Sequence, residues 1–454
     1  MPHVRRKMTR SLLVSMITEG GVAHSAVAVL TGGNCLRQFP TLRNEQLAAP
    51  GSERTNPTFE GEPVRHANWS MLSPEHFQQA ADRLVPVILG ERDNIEQRRE
   101  LPSCLVETMR DTGLFSLWLP KALGGPELTP SDFVRIIEVI ARADGSVGWC
   151  AAVGACYSCF AGYLAESVAR EIYGAGTAIL AGTLNPTGRA TAVPGGYRVT
   201  GEWSYGSGIL HSTWILGNCL IFDGDSARTN PDGSPVVRLM IFPRSDAEVI
   251  DSWRVSGLRG TGSNDFRVDG IFIPEERAIM GFGGTPAQPG RLYGLPFTIF
   301  SVSLVGVPLG LARASIDALV ELAESKRPMD SKQLLRSKPA IQAAVGRAEA
   351  ILRAARAFLF EAVQEMWEAA ETSAPTLQQR ALVRLAITHV ASAAKQVTDM
   401  MFEAGGGTSL YEDGRLPRCW RDAHAVAQHI ALTSNNYEFA GRVLLGMDPG
   451  MARF

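Results

Sequence analysis

The hydrophobic spacing changes twice along this chain, and that double change constrains the fold more than any other feature. Between residues 73 and 173 apolar side chains recur at helical intervals. Ser73-Pro74-Glu75 supplies an N-cap, a first-turn proline and a first-turn acid. Phe77, Ala80, Ala81, Leu84 and Val85 then share a face. A second helix is expected over 101–112, stopping at Gly113, and a third from Thr129-Pro130-Ser131-Asp132 to Ala143. Residues 146–164 are almost wholly apolar, as a central buried helix requires. From 178 to 273 the chain breaks into strand-length runs separated by Gly, Pro and Asp: 178–184, 196–204, 213–221, 236–242 and 266–273. After Pro296 the helical period returns in four long amphipathic segments, 298–324, 338–371, 376–404 and 418–446. Four long helices in succession imply a bundle. The expected class is α+β: an N-terminal helical domain over 71–177, a β domain of barrel or sandwich type over 178–290, and a C-terminal four-helix bundle over 291–454.

Charge excludes some functions. The chain has 454 residues, with 44 basic and 46 acidic side chains and a net charge of −2, and neither sign is blocked. That balance argues against nucleic acid and acidic membranes as partners. Seven scattered cysteines suit reduced thiols and a cytoplasmic location. No apolar run is read as reaching the roughly 18–20 residues of a membrane span. Arg5, Arg6, Lys7 and Arg10 before a short apolar run imitate a signal peptide, but Glu19 follows without a cleavage site. Residues 40–70 are rich in Pro, Gly, Asn, Glu and Arg. Residues 1–70 are therefore expected to be a disordered tail.

Few familiar catalytic motifs are present. Gly405-Gly406-Gly407 does not sit between a strand and a helix, as a dinucleotide fingerprint must. Cys156-Tyr157-Ser158-Cys159 lies in an apolar helix and reads as buried structural cysteines. Glu202-Trp203-Ser204-Tyr205-Gly206-Ser207-Gly208 leaves a strand for a turn whose glycines let backbone and hydroxyl approach a ligand. By composition alone an ordinary β-turn is the better reading. His211 and Trp214 follow on the same rim, although a surface or core histidine fits the sequence equally well. A second loop, residues 253–265, is rich in Gly, Ser and Thr, and several of its N–H groups can point at one acceptor. Near the C-terminus, 419–430 reads as the start of a helix, with Asp422, Ala425, Val426 and His429 on one face. Taken alone, Asp422 is a first-turn acid and His429 a core histidine bonded to backbone.

Together and in this order, these segments resemble the acyl-CoA dehydrogenase superfamily, and more closely its flavin-dependent monooxygenase branch. The residues that carry the resemblance are Asp144-Gly145-Ser146-Val147-Gly148-Trp149, Pro186-Thr187-Gly188-Arg189-Ala190, residues 196–203 with Ser207-Gly208, residues 257–264, and Trp420-Arg421-Asp422-Ala423-His424 with His429. In the dehydrogenases a glutamate follows Arg-Asp-Ala and abstracts the substrate proton; here that position falls on Ile430. The resemblance implies an oxygenase component that receives reduced FMN or FAD from a separate NAD(P)H-flavin reductase. It would react with O2 through a C4a-hydroperoxyflavin and hydroxylate a phenolic or polycyclic aromatic substrate. The same scaffold also serves N-oxygenases of amino sugars and acyl-CoA dehydrogenases with a relocated base. By resemblance Ser207 bonds flavin N5 and His429 lies near C4a. Trp149, Thr183, Gly206, Gly208, Gly405, Gly406, Ala427 and Gln428 fall at flavin-contacting positions, and Arg327 reaches a flavin phosphate across a subunit interface of a homotetramer. Tyr157 and His211 are the substrate-side candidates. A related group has histidine where this chain has Tyr157, so Tyr157 either meets the substrate or packs in the core.

Overall fold

The structure, a computed structural model, describes residues 68–454 except 330, 452 and 453. The expectations for the tail and for its signal-like segment lie outside the described residues.

The first helices are α1 (Pro74–Arg98), α2 (Ser103–Asp111), α3 (Pro130–Ala143), α4 (Gly145–Tyr157) and α5 (Glu166–Tyr173). Every residue of α4 is buried. Its first turn is capped by Asp144, which accepts the N–H groups of Ser146 and Val147 at 2.9 and 3.1 Å. α4 can sit this deep because its glycines admit neighbours. A Cβ on Gly148 would lie 2.5 Å from the Ala141 methyl on α3, and one on Gly154 would lie 2.6 Å from the Phe115 ring.

The middle segment folds as β1 (Leu180–Val193), β2 (Gly196–Gly206), β3 (Trp214–Asp223), β4 (Ser226–Ala227), β5 (Val237–Pro243), β6 (Glu248–Ile250), β7 (Asn264–Pro274) and β8 (Ala278–Ile279). The strand order is β6-β7-β2-β1-β3-β5-β8, with β4 on β3. β1 and β3 run parallel, and the other pairs are antiparallel. The sheet rolls up, so that β5 and β7 touch although three strands separate them. Trp203 fills the roll. It stacks on Phe266, with centroids 5.2 Å apart, and its indole N–H donates to the Asn218 carbonyl at 2.8 Å. Gly188 and Gly217 make room for it: a Cβ there would stand 2.2 and 2.9 Å from the indole. The result is barrel-like, with hydrogen bonding that stops at β6 and β8. Strands of two or three residues, such as β4, β6 and β8, carry too little periodicity to be read from sequence.

The C-terminal helices are α6 (Thr298–Leu304), α7 (Gly306–Ser325), α8 (Pro339–Ala369), α9 (Leu377–Gly405), α10 (Arg415–Val426) and α11 (Asn436–Leu444). Two of the four expected segments are thus divided. The last one breaks because Thr433-Ser434-Asn435-Asn436 is a turn former. Buried Asn436 pins the break. Its amide donates to the carbonyls of Ile430 and Thr433 at 3.2 and 3.0 Å, and its oxygen accepts from Arg384 on α9 at 3.0 Å.

The expectation that no run could span a membrane needs correction. Among the described residues one stretch, Thr298–Ser325, is long and apolar enough, with mean hydropathy 1.7. Its most apolar 18-residue window is 94 % buried inside the fold, and the stretch packs against α3, α9 and α10 as a core helix pair.

Candidate active site

Four segments meet around Trp149: α4, the turn after β2, the loop before β7, and the turn after α10. Trp149 projects from the second turn of α4 and donates its indole N–H to Ser207 Oγ at 3.0 Å. Ser207 lies in a turn closed by Gly208, whose φ of +75° favours glycine. The Gly208 N–H donates to the Thr261 carbonyl at 3.0 Å, tying this turn to the loop before β7. Pairing of Gly206 with Asn264 joins the two at the same level. A line of hydroxyls continues from Ser207: Oγ to Ser263 Oγ at 2.8 Å, Ser263 Oγ to Thr261 Oγ1 at 2.7 Å, and Thr261 Oγ1 to the Leu258 carbonyl at 2.9 Å.

His429 packs against the same indole. The expectation that it shares a helical face with Asp422 is incorrect, because α10 ends at Val426 and His429 lies in the turn beyond. The turn nevertheless delivers it to the cluster. Its ring meets Trp149 edge-on at 5.4 Å and Phe300 at 6.3 Å. The Ala431 N–H donates to Nδ1 at 3.2 Å. That bond makes Nδ1 the acceptor, so the neutral ring carries its proton on Nε2. Burial among these rings pushes the imidazole down to about 4. The position matched to the dehydrogenases' glutamate, Ile430, is 79 % exposed.

The other expected residues divide. Gly206 and Gly208 flank Ser207 directly. His211 lies just behind: its Nε2 would be 3.0 Å from a Cβ on Gly208, its ring is 5.7 Å from Phe115, and burial pushes it to about 4. Tyr157, the last residue of α4, stacks on Phe300 with centroids 6.4 Å apart. Its hydroxyl is already given to the Gly182 carbonyl at 3.3 Å, so it acts here as part of the wall. Thr183 follows Gly182 on β1 and accepts the Asn185 N–H. Ala427 caps α10, while the Gln428 side chain is exposed and donates weakly to the His424 carbonyl at 3.5 Å. Gly405 and Gly406 lie elsewhere, beside Lys326, whose ammonium donates to the Gly405 carbonyl and the Thr408 hydroxyl. Arg327 is exposed and bonded to the Lys332 carbonyl at 2.6 Å. α7 separates this region from the Trp149 cluster. Leu311 near its start meets Gly145, and its end at Ser325 is roughly 20 Å further along at 1.5 Å per residue.

Sequence reasoning did not single out Phe300, Thr261 or Ser263. Thr261 and Ser263 stood within the quoted loop, and only strand pairing shows that they face Ser207. Phe300 carried no signal beyond an apolar position on a core helix.

Asp422 is also corrected. It is not in a first turn but in the second half of α10, where its Oδ1 accepts the Leu258 N–H at 2.6 Å. Leu258 has φ +53°, and Asp422 holds it there. Burial, and then the nearby Asp144 carboxylate, raise the Asp422 carboxyl to about 8. A carboxyl raised on folding contributes stability below its ordinary value of 3.8, and that contribution is lost as pH rises through about 8. Asp422→Asn keeps an acceptor for Leu258 and is expected to flatten the decline in stability between pH 5 and pH 8. Asp422→Ala strands the Leu258 N–H and is expected to cost about 1–3 kcal/mol at pH 5. Urea unfolding of both variants at the two pH values measures each effect.

N-terminal helices, a rolled central sheet and C-terminal helices are the architecture of the acyl-CoA dehydrogenase class of fold. Family models bear this out: the acyl-CoA dehydrogenase N-terminal domain matches residues 75–172 and the C-terminal domain matches residues 302–434. The chain is 33 % identical over 364 residues to the indole-3-acetate monooxygenase of Pseudomonas putida, covering 80 % of this chain and 90 % of that protein. It is 28 % identical over 385 residues to the flavin-dependent monooxygenase oxygenase subunit HsaA of Mycobacterium tuberculosis, covering 82 % and 95 %. Among solved structures, XiaF from Streptomyces sp., in complex with FADH2 and glycerol, superposes with a TM-score of 0.75 at 26 % identity, covering 84 % of this chain and 98 % of XiaF. This chain belongs to the acyl-CoA dehydrogenase family, in its branch of flavin-dependent monooxygenase oxygenase components.

Proposed function

We propose that this chain is the oxygenase component of a two-component monooxygenase that takes reduced FMN or FAD from a separate NAD(P)H-flavin reductase. When bound, the flavin supplies O2 activation through a C4a-hydroperoxide, and the product is a hydroxylated phenolic or polycyclic aromatic compound. The observation that carries this reading is that Trp149 both bonds Ser207 and meets the His429 ring. The residues fit a flat ring system with a polar edge: the Trp149 and Phe300 rings are flanked by two polar atoms with capacity to spare, Ser207 Oγ and His429 Nε2.

The chain's own residues then have distinct roles. Ser207 accepts a hydrogen bond at the flavin N5 edge. His429, neutral and with its hydrogen on Nε2, would donate a hydrogen bond toward the C4a side. Trp149, Phe300 and Tyr157 keep water out of the pocket. Thr183, Gly206, Gly208, Ala427 and Gln428 complete the ring contacts, and His211 borders the substrate side. The separation along α7 supports a role away from the flavin ring for Gly405, Gly406 and Arg327, with Arg327 at a flavin phosphate held between subunits of a homotetramer. The enzyme works in the cytoplasm.

Stopped-flow mixing of protein loaded with reduced FMN or FAD against O2 tests the proposal. An oxygenated-flavin absorption transient is expected, and a wild-type protein that binds reduced flavin but shows no transient overturns it. Ser207→Ala leaves the Trp149 N–H unpaired, a penalty of about 1–3 kcal/mol. That variant is expected to shorten the transient about tenfold or more.

A further inference from the structure

We propose that Thr261 and Ser263 fix the direction of the Ser207 hydroxyl, so that Ser207 offers the pocket a lone pair and not a proton. The inference rests on the flavin reading above and assigns to that site a preference between redox states. Each hydroxyl has one hydrogen to give. The Leu258 carbonyl can only accept, so Thr261 donates to it at 2.9 Å. The Thr261 hydrogen is then spent, and in the 2.7 Å contact Ser263 is the donor. The Ser263 hydrogen is spent in turn, so in the 2.8 Å contact Ser207 donates to Ser263. The Trp149 indole N–H is a donor only and takes one lone pair of Ser207. What remains on Ser207 Oγ is its other lone pair.

All the members are buried, with Thr261 and Ser263 each 2 % exposed, so water does not readily reset the direction. The far end is anchored as well. The Leu258 carbonyl also accepts from the Trp253 indole at 3.0 Å, and the Leu258 N–H is held by Asp422 at 2.6 Å. A reduced flavin carries a hydrogen on N5 and matches a lone pair. An oxidised flavin carries a lone pair on N5 and needs a donor, which Ser207 can become only by giving up its bond to Ser263 or by reversal of the whole line with loss of the Thr261 bond to the Leu258 carbonyl, and either way a buried hydrogen bond is lost. Thr261 and Ser263 are therefore positioning residues that make the site favour the reduced cofactor and release the oxidised one.

The test is anaerobic titration of the full chain with FMN and FAD, each oxidised and reduced, for wild type, Thr261→Val, Thr261→Ser and Ser263→Ala. Wild type is expected to bind reduced flavin more tightly. Thr261→Val and Ser263→Ala free the Ser207 hydrogen, and each is expected to narrow the reduced-to-oxidised affinity ratio about tenfold, mainly by tightening the oxidised form. The bound-flavin potential then falls by about 30 mV for a two-electron couple. Thr261→Ser keeps the hydroxyl and is expected to keep the wild-type ratio. A ratio unchanged in both Val and Ala variants, or equal weakening of both redox states, overturns the inference while leaving the flavin reading intact. Failure of wild type to bind either flavin in either state overturns that reading, and this inference with it.

Discussion

His429→Ala is expected to slow substrate oxygenation by about 10²–10³-fold, the usual contribution of one positioned hydrogen-bond donor to charge that develops in the reaction. Affinity for reduced flavin is expected to stay within a few fold, because the Trp149 and Phe300 rings and Ser207 are untouched. Single-turnover stopped flow separates the two effects. The pH dependence follows from the ring's surroundings. With its imidazole pushed down to about 4, His429 is neutral at pH 7 and its proton sits on Nε2. The rate is then expected to be flat from pH 6 to 8 and to change only as pH falls toward 4. A rate-limiting ionisation near 6.5 that disappears in His429→Ala would show instead a water-exposed imidazole. Stability follows the same linkage. His429 and His211 are both depressed to about 4. Their contribution is present above their ordinary 6.5 and is lost as pH falls through about 4, since the unfolded chain takes up protons first.

How far the site was legible depends on whether neighbours in sequence or only in space carry it. α4 was legible because its thirteen residues carry no charge, although the apolar run continues to Leu164 and the α-helix ends at Tyr157, where a 3-10 turn over Ser158–Tyr163 takes over. The serine turn was legible as a turn, and its glycines marked where a ligand could approach. Its partner Trp149 is 58 residues away, and nothing local connects them. His429 shows the opposite case: the residue was named, but its structure was misread. Ala425-Val426-Ala427-Gln428 contains no helix-stopping residue, so the period runs on through it. The helix ends at Val426, and Asn436, ten residues later, is bonded both to the turn that follows and to Arg384 on another helix. The helix at residues 298–325 is also divided. Gly306, Pro308 and Gly310 break the apolar run to the eye, yet they are accommodated at the close contact with α3, where a Cβ on Gly310 would lie 2.6 Å from the Arg142 nitrogen.

Trp149→Ala is expected to have the largest effect on the protein as a whole, because this side chain is at once core and site. It is 6 % exposed, so truncation costs the transfer of a large ring plus a cavity, about 3–5 kcal/mol. The surroundings cannot close over the gap easily. α4 is fixed against α3 through Gly148, and Ser207 is fixed by the hydroxyl line on its other side. Two losses are expected together: a Tm drop of several degrees, and loss of the oxygenated-flavin transient as water enters between Ser207 and His429. Trp149→Phe separates the two roles. It keeps most of the apolar wall and the edge toward His429 but removes the only donor that Trp149 gives to Ser207. Its stability is expected to lie much closer to wild type, while the reduced-flavin complex loses the definition of its N5 edge and the transient shortens as in Ser207→Ala. If the phenylalanine variant matches wild type in transient lifetime, the indole N–H plays no part, and Trp149 serves only to exclude water. If it matches the alanine variant in Tm, the 3.0 Å bond to Ser207, and not the ring's bulk, is what holds α4 to the sheet. Scanning calorimetry and stopped flow on the same three proteins distinguish these outcomes.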